Sequence, residues 1–124
     1  MGLDVCHRTH LTSAQVAAGF AGDVGRYVRR ACAAWLPATG EAGPHLYDTL
    51  AVASVVRPEL LELAPARVQI DTSAGATAGT SVAWLPGRPS AWSRADARPN
   101  ALVATGVDLD AFEALFAERV LARL

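Results

Sequence analysis

Pro44-His45-Leu46-Tyr47-Asp48-Thr49-Leu50-Ala51-Val52-Ala53-Ser54-Val55-Val56-Arg57-Pro58-Glu59 couples a polar loop to an apolar run, and its reading decides the fold. Leu50 to Val56 predicts a core helix that stops before Pro58, because the residue preceding a proline is pushed out of the helical region. Asp48 stands at the expected N-cap. There its carboxylate accepts first-turn amides, and the helix dipole tends to keep it ionised. Two readings follow. Asp48 is a cap and nothing more, or it is a fixed, ionised carboxylate of the kind that a hard cation such as calcium takes. His45 and Tyr47 arrive on the same Gly/Pro-rich loop, residues 38 to 47, and such loops often carry site residues.

Outward from this stretch, the pattern alternates helices with a few strands. Residues 2 to 7 read as the end of a buried strand. Thr12-Ser13-Ala14-Gln15 is a capping box opening a helix from about Ser13 to Ala21. Val24, Tyr27, Val28, Ala31, Cys32 and Trp35 then recur at helical spacing, with Asp23 as the cap and Pro37 as the stop. Arg26, Arg29 and Arg30 fall on the outer face, read as solvated or as an anion site. After Pro58, Glu59 to Leu63 reads as a short helical turn. Arg67 to Thr72 alternates as a strand with Val68 and Ile70 on its covered face. Ser73 to Gly79 turns the chain into a second strand, Thr80 to Leu85. A loop from Pro86 to Pro99 follows, flanked by Trp84 and Trp92. Asn100 to Thr105 makes a third strand, and Asp108 or Asp110 caps a last helix lined by Phe112, Leu115, Phe116 and Val120.

Composition bounds the function. At 124 residues, 1–124 is read as a single domain with one modest core. Hydrophobic residues make up 52% and charged residues 19%, so the chain folds around a core and is not disordered. The net charge is −1, and all 11 basic residues are Arg; this balance argues against nucleic-acid binding, which clusters basic side chains on one face. No apolar run approaches the ~20 residues of a membrane span, and the start lacks the basic and apolar regions of a signal peptide. Cys6 and Cys32 are too few for a disulfide framework, so the expectation is reduced thiols and a cytoplasmic location.

Tyr47-Asp48-Thr49-Leu50-Ala51-Val52-Ala53, followed by Val56-Arg57-Pro58-Glu59-Leu60, resembles the His-Asp-Pro-Leu-Ala-Val-Ala and Asp-Pro-x-Leu segment of the inosine/uridine-preferring nucleoside hydrolases. Gly2-Leu3-Asp4-Val5-Cys6-His7, with Leu11-Thr12 after it, is similar to that family's Gly-Leu-Asp-Val-Thr-His segment. Pro65 to Thr72, Gly79-Thr80 and the stretch from Asn100-Ala101 to Asp108 follow its C-terminal pattern. The resemblance spans nearly all of this chain but only about the C-terminal third to half of a full-length member. It implies an α/β class, as a partial nucleoside-hydrolase-like fold with helices packed on a few strands of an incomplete mixed sheet.

That family hydrolyses the N-glycosidic bond of ribonucleosides to base and ribose. The resemblance implies calcium as cofactor with Asp48 as one metal ligand, and it places Tyr47 where many members have a catalytic His. A phenol of ordinary pKa about 10 is a poorer proton donor than an imidazole near 6.5, but it stacks on a base and hydrogen-bonds to it. Some purine-preferring members have an aromatic here. His45, two residues earlier, reaches the same region as a second catalytic candidate or is a solvated loop histidine. The family's N-terminal D-x-D-x-x-x-D-D cluster has no counterpart: no D-x-D precedes Asp108-Leu109-Asp110, where capping explains the residues better. The expectation is therefore a truncated chain, inactive alone, that acts on a ribonucleoside only when completed by an N-terminal half.

Other chemistries fit less well. Cys6-His7-x-x-His10 lacks the fourth ligand of a structural zinc site. No G-x-S-x-G elbow or phosphate-binding Gly-rich loop with its Lys occurs. The alternative from another class is a non-catalytic interaction module that forms a homo-oligomer or binds a partner protein through apolar surface.

Overall fold

The structure, a computed structural model, describes all residues except Ala42, 88–97 and Leu124. Five helices and three strands run in the order α1 (Leu3–Cys6), α2 (Ser13–Gly19), α3 (Asp23–Thr39), α4 (Tyr47–Val56), β1 (Leu61–Ile70), β2 (Ser81–Trp84), β3 (Ala101–Val107) and α5 (Leu109–Arg119). The expected Trp92 flank of the long loop lies outside the described residues.

The apolar run forms α4 as the sequence predicts. It ends at Arg57, and Pro58 opens a 3-10 turn, Pro58–Leu60, whose Leu60 side chain is buried. From there the chain enters β1 six residues earlier than the sequence suggests, and Pro65 lies within the strand. Register explains how the strand tolerates it. β3 pairs antiparallel with β1 from Leu61↔Val107 to Ala66↔Ala101, while β2 pairs with it only from Arg67↔Trp84 to Ile70↔Ser81. At Pro65, β1 therefore has a described neighbour on one side only, and a residue with no N–H costs the ladder nothing on the other. Among the described residues the sheet is open, with order β2-β1-β3, and both pairings are antiparallel.

Two side-chain devices fix this sheet. Asn100 accepts from Val68 N–H at 2.7 Å, donates to Val68 C=O at 3.0 Å, and donates its own backbone N–H to Ala66 C=O, so it extends the β3 ladder by one rung. In the β1–β2 turn, Asp71 accepts from the Thr77 hydroxyl and from Ser73 N–H at 2.8 Å, and these bonds hold its carboxyl below the usual carboxylate range. Gly79 supplies the left-handed φ of 83° that brings the chain into β2.

The main core gathers Val5, Cys6, Leu50, Ala53, Leu60, Ala104, Val107, Phe112 and Leu115; a second cluster gathers Leu11, Val16, Phe20 and Phe116. The helices α1, α4 and α5 thus close over one part of the sheet. The capping box on α2 forms as expected, with Gln15 N–H donating to the Thr12 hydroxyl and Thr12 N–H to the Gln15 side chain. Asp108 caps α5 by accepting from Ala111 N–H.

Several local expectations are corrected. Residues 3–6 are a short helix and not a strand end, because Val5 and Cys6 donate to Gly2 C=O and His7 to Leu3 C=O, satisfying locally what a strand neighbour would satisfy. The helix α3 runs past Pro37 and stops at Gly40, which adopts the left-handed φ of 69° and donates to Leu36 C=O. Its cap is Gly22, with Asp23 in the first turn paired to Arg26. The stripe read as core is only partly so: Val28 and Cys32 lie against the second cluster, while Val24, Tyr27 and Trp35 are exposed. Gly25 is buried because a Cβ there would come within 2.6 Å of the Phe20 backbone, where the two helices meet. On β1, Val68 is half-buried but Ile70 is exposed; the fully buried position of that face is Ala66.

Phe112, 1% exposed, sits at the centre of the larger core. Replacing it with Ala is expected to lower stability by about 3–5 kcal/mol, whereas Val55→Ala on the open side of α4 shifts it by less than about 0.5 kcal/mol. Urea denaturation followed by circular dichroism reads both.

Candidate functional site

A two-strand tie assembles the site. Leu11 N–H donates to Pro44 C=O at 3.0 Å and Leu46 N–H donates to Thr9 C=O at 2.8 Å, so His10 and His45 face each other in an antiparallel bridge. The approach is close. A Cβ on Gly43 would lie 1.5 Å from the Leu11 carbonyl oxygen, so only glycine fits. Thr9 is buried and donates its hydroxyl to Cys6 C=O at 2.8 Å, which links the tie to the end of α1.

The tie brings four rings together. His45 and Tyr47 stack nearly parallel, 7° between planes and 5.0 Å between centroids. His7 leans against both, at 4.7 Å from His45 and 5.4 Å from Tyr47, and His10 lies 5.9 Å from His45. Tyr47 Oη is 3.0 Å from His7 Nε2. His45 Nε2 is 3.3 Å from a Glu41 carboxylate oxygen, while its Nδ1 is buried and has no hydrogen-bond partner among the described residues. With Nε2 donating to Glu41, Nδ1 is a bare acceptor held under the stack. Partial burial of Tyr47, reinforced by Cys6 and Glu41, pushes its phenol above the ordinary value.

Asp48 is not the cap of α4. That position is Leu46, no side chain caps the helix, and Asp48 is exposed in the first turn. As the second residue of the helix, Asp48 makes no capping bond to the first-turn amides. It is left facing solvent next to the ring cluster in sequence, available to a ligand. It has little company: among the described residues, no three His, Cys, Asp or Glu side chains converge to hold a metal ion. Calcium takes ~6–8 oxygens, so the donor set described here does not fit it by itself. The zinc reading of Cys6, His7 and His10 fails on the same geometry, with buried Cys6 donating its thiol to Gly2 C=O.

His45 and Tyr47, both expected from the sequence, come together; Asp48 follows Tyr47 but joins no cluster. Sequence reasoning missed His7 and Glu41 as their partners. The sequence presents His7 as a metal-ligand candidate and as the last residue of the segment Gly2 to His7 that resembles the family. Glu41 carried no signal.

The sequence model of a family described as inosine-uridine preferring nucleoside hydrolase matches residues 1–114. A search of curated proteins returns no match. Among solved structures, the chain is similar to a purine-preferring ribonucleoside hydrolase from Gardnerella vaginalis, with 27% identity and a TM-score of 0.72 over 98% of this chain and 38% of that one. It is also similar in fold to a plant nucleoside hydrolase, with 22% identity and a TM-score of 0.74 over 98% of this chain and 40% of that one. The chain thus spans about two fifths of the length of these relatives. No helix among the described residues is long and apolar enough to cross a membrane. With the family match running through both ring-bearing segments and the helix that follows, this chain belongs to the inosine-uridine preferring nucleoside hydrolase family.

Proposed function

We propose that this chain supplies one side of a site that hydrolyses the N-glycosidic bond of ribonucleosides, and that it is inactive alone. The stacked pair of His45 and Tyr47, with His7 behind it and Asp48 next along the helix, is the observation that carries the reading. In such a reaction water attacks the anomeric carbon, the C–N bond breaks, and the departing base takes up a proton. A flat, partly desolvated ring pair suits a planar base. The phenol of Tyr47 offers it a hydrogen bond, and His45, with Nε2 3.3 Å from the Glu41 carboxylate, is the candidate for moving a proton. Asp48 offers one oxygen to a shared calcium ion whose other ligands lie in the part of the fold that this chain does not span. The free thiols of Cys6 and Cys32 suit a reducing compartment such as the cytoplasm.

The purified chain is expected to release no ribose from inosine or uridine in a reducing-sugar assay. It should do so when joined by the complementary portion of a nucleoside hydrolase. Ribose release by the chain alone, or none from a folded, completed assembly, overturns the reading. Asp48→Ala separates ligand from cap: with no capping bond to lose, stability should change by no more than about 0.5 kcal/mol, read as the urea midpoint. Tyr47, its phenol raised, is neutral in the fold beyond the pH at which a free phenol ionises. The stability it contributes is present below that pH and is lost as pH climbs through the raised value. Phenolate absorbance at 295 nm should show a late step that Tyr47→Phe removes.

A further inference from the structure

We propose that His7 is a positioning residue that takes up the hydroxyl hydrogen of Tyr47, so that Tyr47 meets a ligand as a hydrogen-bond acceptor only and selects nucleosides whose base presents an N–H donor, an exocyclic amino group above all. The proposal rests on the functional reading above and names the substrate class of that same site.

The donors of the stacked pair can be followed atom by atom. An ionised carboxylate accepts and does not donate, so at the 3.3 Å contact with Glu41 the hydrogen belongs to His45 Nε2. A neutral imidazole carries a single N–H, which is why Nδ1 of His45 is left bare. Tyr47 has a single O–H, and its oxygen lies 3.0 Å from His7 Nε2. Phenols are stronger acids than neutral imidazoles, and an imidazole nitrogen is a stronger base than a phenol oxygen, so the O–H donates and His7 Nε2 accepts. The hydrogen of His7 then sits on Nδ1, because the bond made at one ring nitrogen sets the state of the other. His45 and His7 are thus held in opposite tautomers.

Both side-chain donors of the stacked pair are therefore spent inside the protein. A base lying against the pair meets at Tyr47 Oη an oxygen with lone pairs and no hydrogen to give. An edge that brings a second acceptor there, such as a bare ring nitrogen, sets lone pair against lone pair, whereas an N–H completes the bond. The placement of His7 is fixed by its own segment. Its backbone N–H donates to Leu3 C=O at 2.8 Å, at the end of a helix whose Val5 and Cys6 are buried. Its ring leans on His45 at 4.7 Å and on Tyr47 at 5.4 Å, so the acceptor stands ready before a ligand arrives.

Long-range proton–nitrogen NMR spectra of the imidazoles, recorded on the full chain at a pH where they are neutral, read the tautomers directly. Free histidine favours the Nε2–H form, so His45 should show that form while His7 shows Nδ1–H, and Tyr47→Phe should return His7 to Nε2–H. Finding His7 as Nε2–H in the unaltered chain, or a tautomer that Tyr47→Phe leaves unchanged, overturns the proposal. The second arm uses the chain joined by the complementary portion of a nucleoside hydrolase, with adenosine and purine riboside, which has a hydrogen in place of the amino group. The ratio of kcat/KM for adenosine over purine riboside should fall about tenfold in Tyr47→Phe and in His7→Phe, and should be kept in His7→Gln, whose amide oxygen still accepts. A ratio that neither Phe variant changes overturns the proposal as well. An assembly that releases no ribose from either nucleoside, with His7 as Nδ1–H, overturns the functional reading and leaves the placement of the hydrogen standing.

Discussion

The hydrogen bond from Leu46 N–H to Thr9 C=O is the constraint on which the rest of the structure leans. It joins two segments far apart in sequence, and Leu46 itself packs against both core clusters. On one side of this junction the backbone enters α4 and the main core. On the other, Thr9 anchors the end of α1. The rings of His7, His10, His45 and Tyr47 are near neighbours because the tie leaves them no other place. Gly43 is its steric condition, since any larger residue would drive the loop off Leu11.

The chemistry of the cluster follows from partial desolvation. Stacking His45 on Tyr47 hides Nδ1 and part of the phenol from water, which raises the cost of putting negative charge on Tyr47. Asp48, one residue further on, stays exposed to solvent. The stacked rings and the exposed carboxylate are thus consecutive along the chain at the start of α4.

Much of this was legible in the sequence where local rules act alone. The capping box of Thr12 and Gln15, the stop before Pro58 and the cap at Asp108 are local events, and all three formed. The readings that failed depended on neighbours. The strand expected from Arg67 begins six residues earlier, because β3 pairs with the chain from Leu61 onward. Residues 3–6 carry strand-like residues, but their backbone bonds close locally, Val5 and Cys6 onto Gly2 C=O and His7 onto Leu3 C=O. Pro37 lies inside α3, two residues before the helix ends at Thr39, and costs it the one intrahelical bond that a proline has no N–H to make. The stripe on α3 has helical period, yet period says which residues share a face and not whether anything covers that face. Tyr47 is singled out by the resemblance of its segment, and His45 by its place on the Gly/Pro-rich loop two residues earlier. Glu41 was not, because its role is defined only by where the loop brings it.

The Asn100 clamp separates the length of the preceding connection from the alignment of β3. Two side-chain bonds and one backbone bond set the strand's first rung, so β3 enters the sheet in one frame however long a path leads to it. Since each doubling of a loop costs only about 0.6 kcal/mol of closure entropy, insertions ahead of Asn100 are inexpensive in evolution. Homologues should therefore be free to vary that connection in length while the sheet beneath keeps its alignment, which makes it a natural place for lineages to diverge.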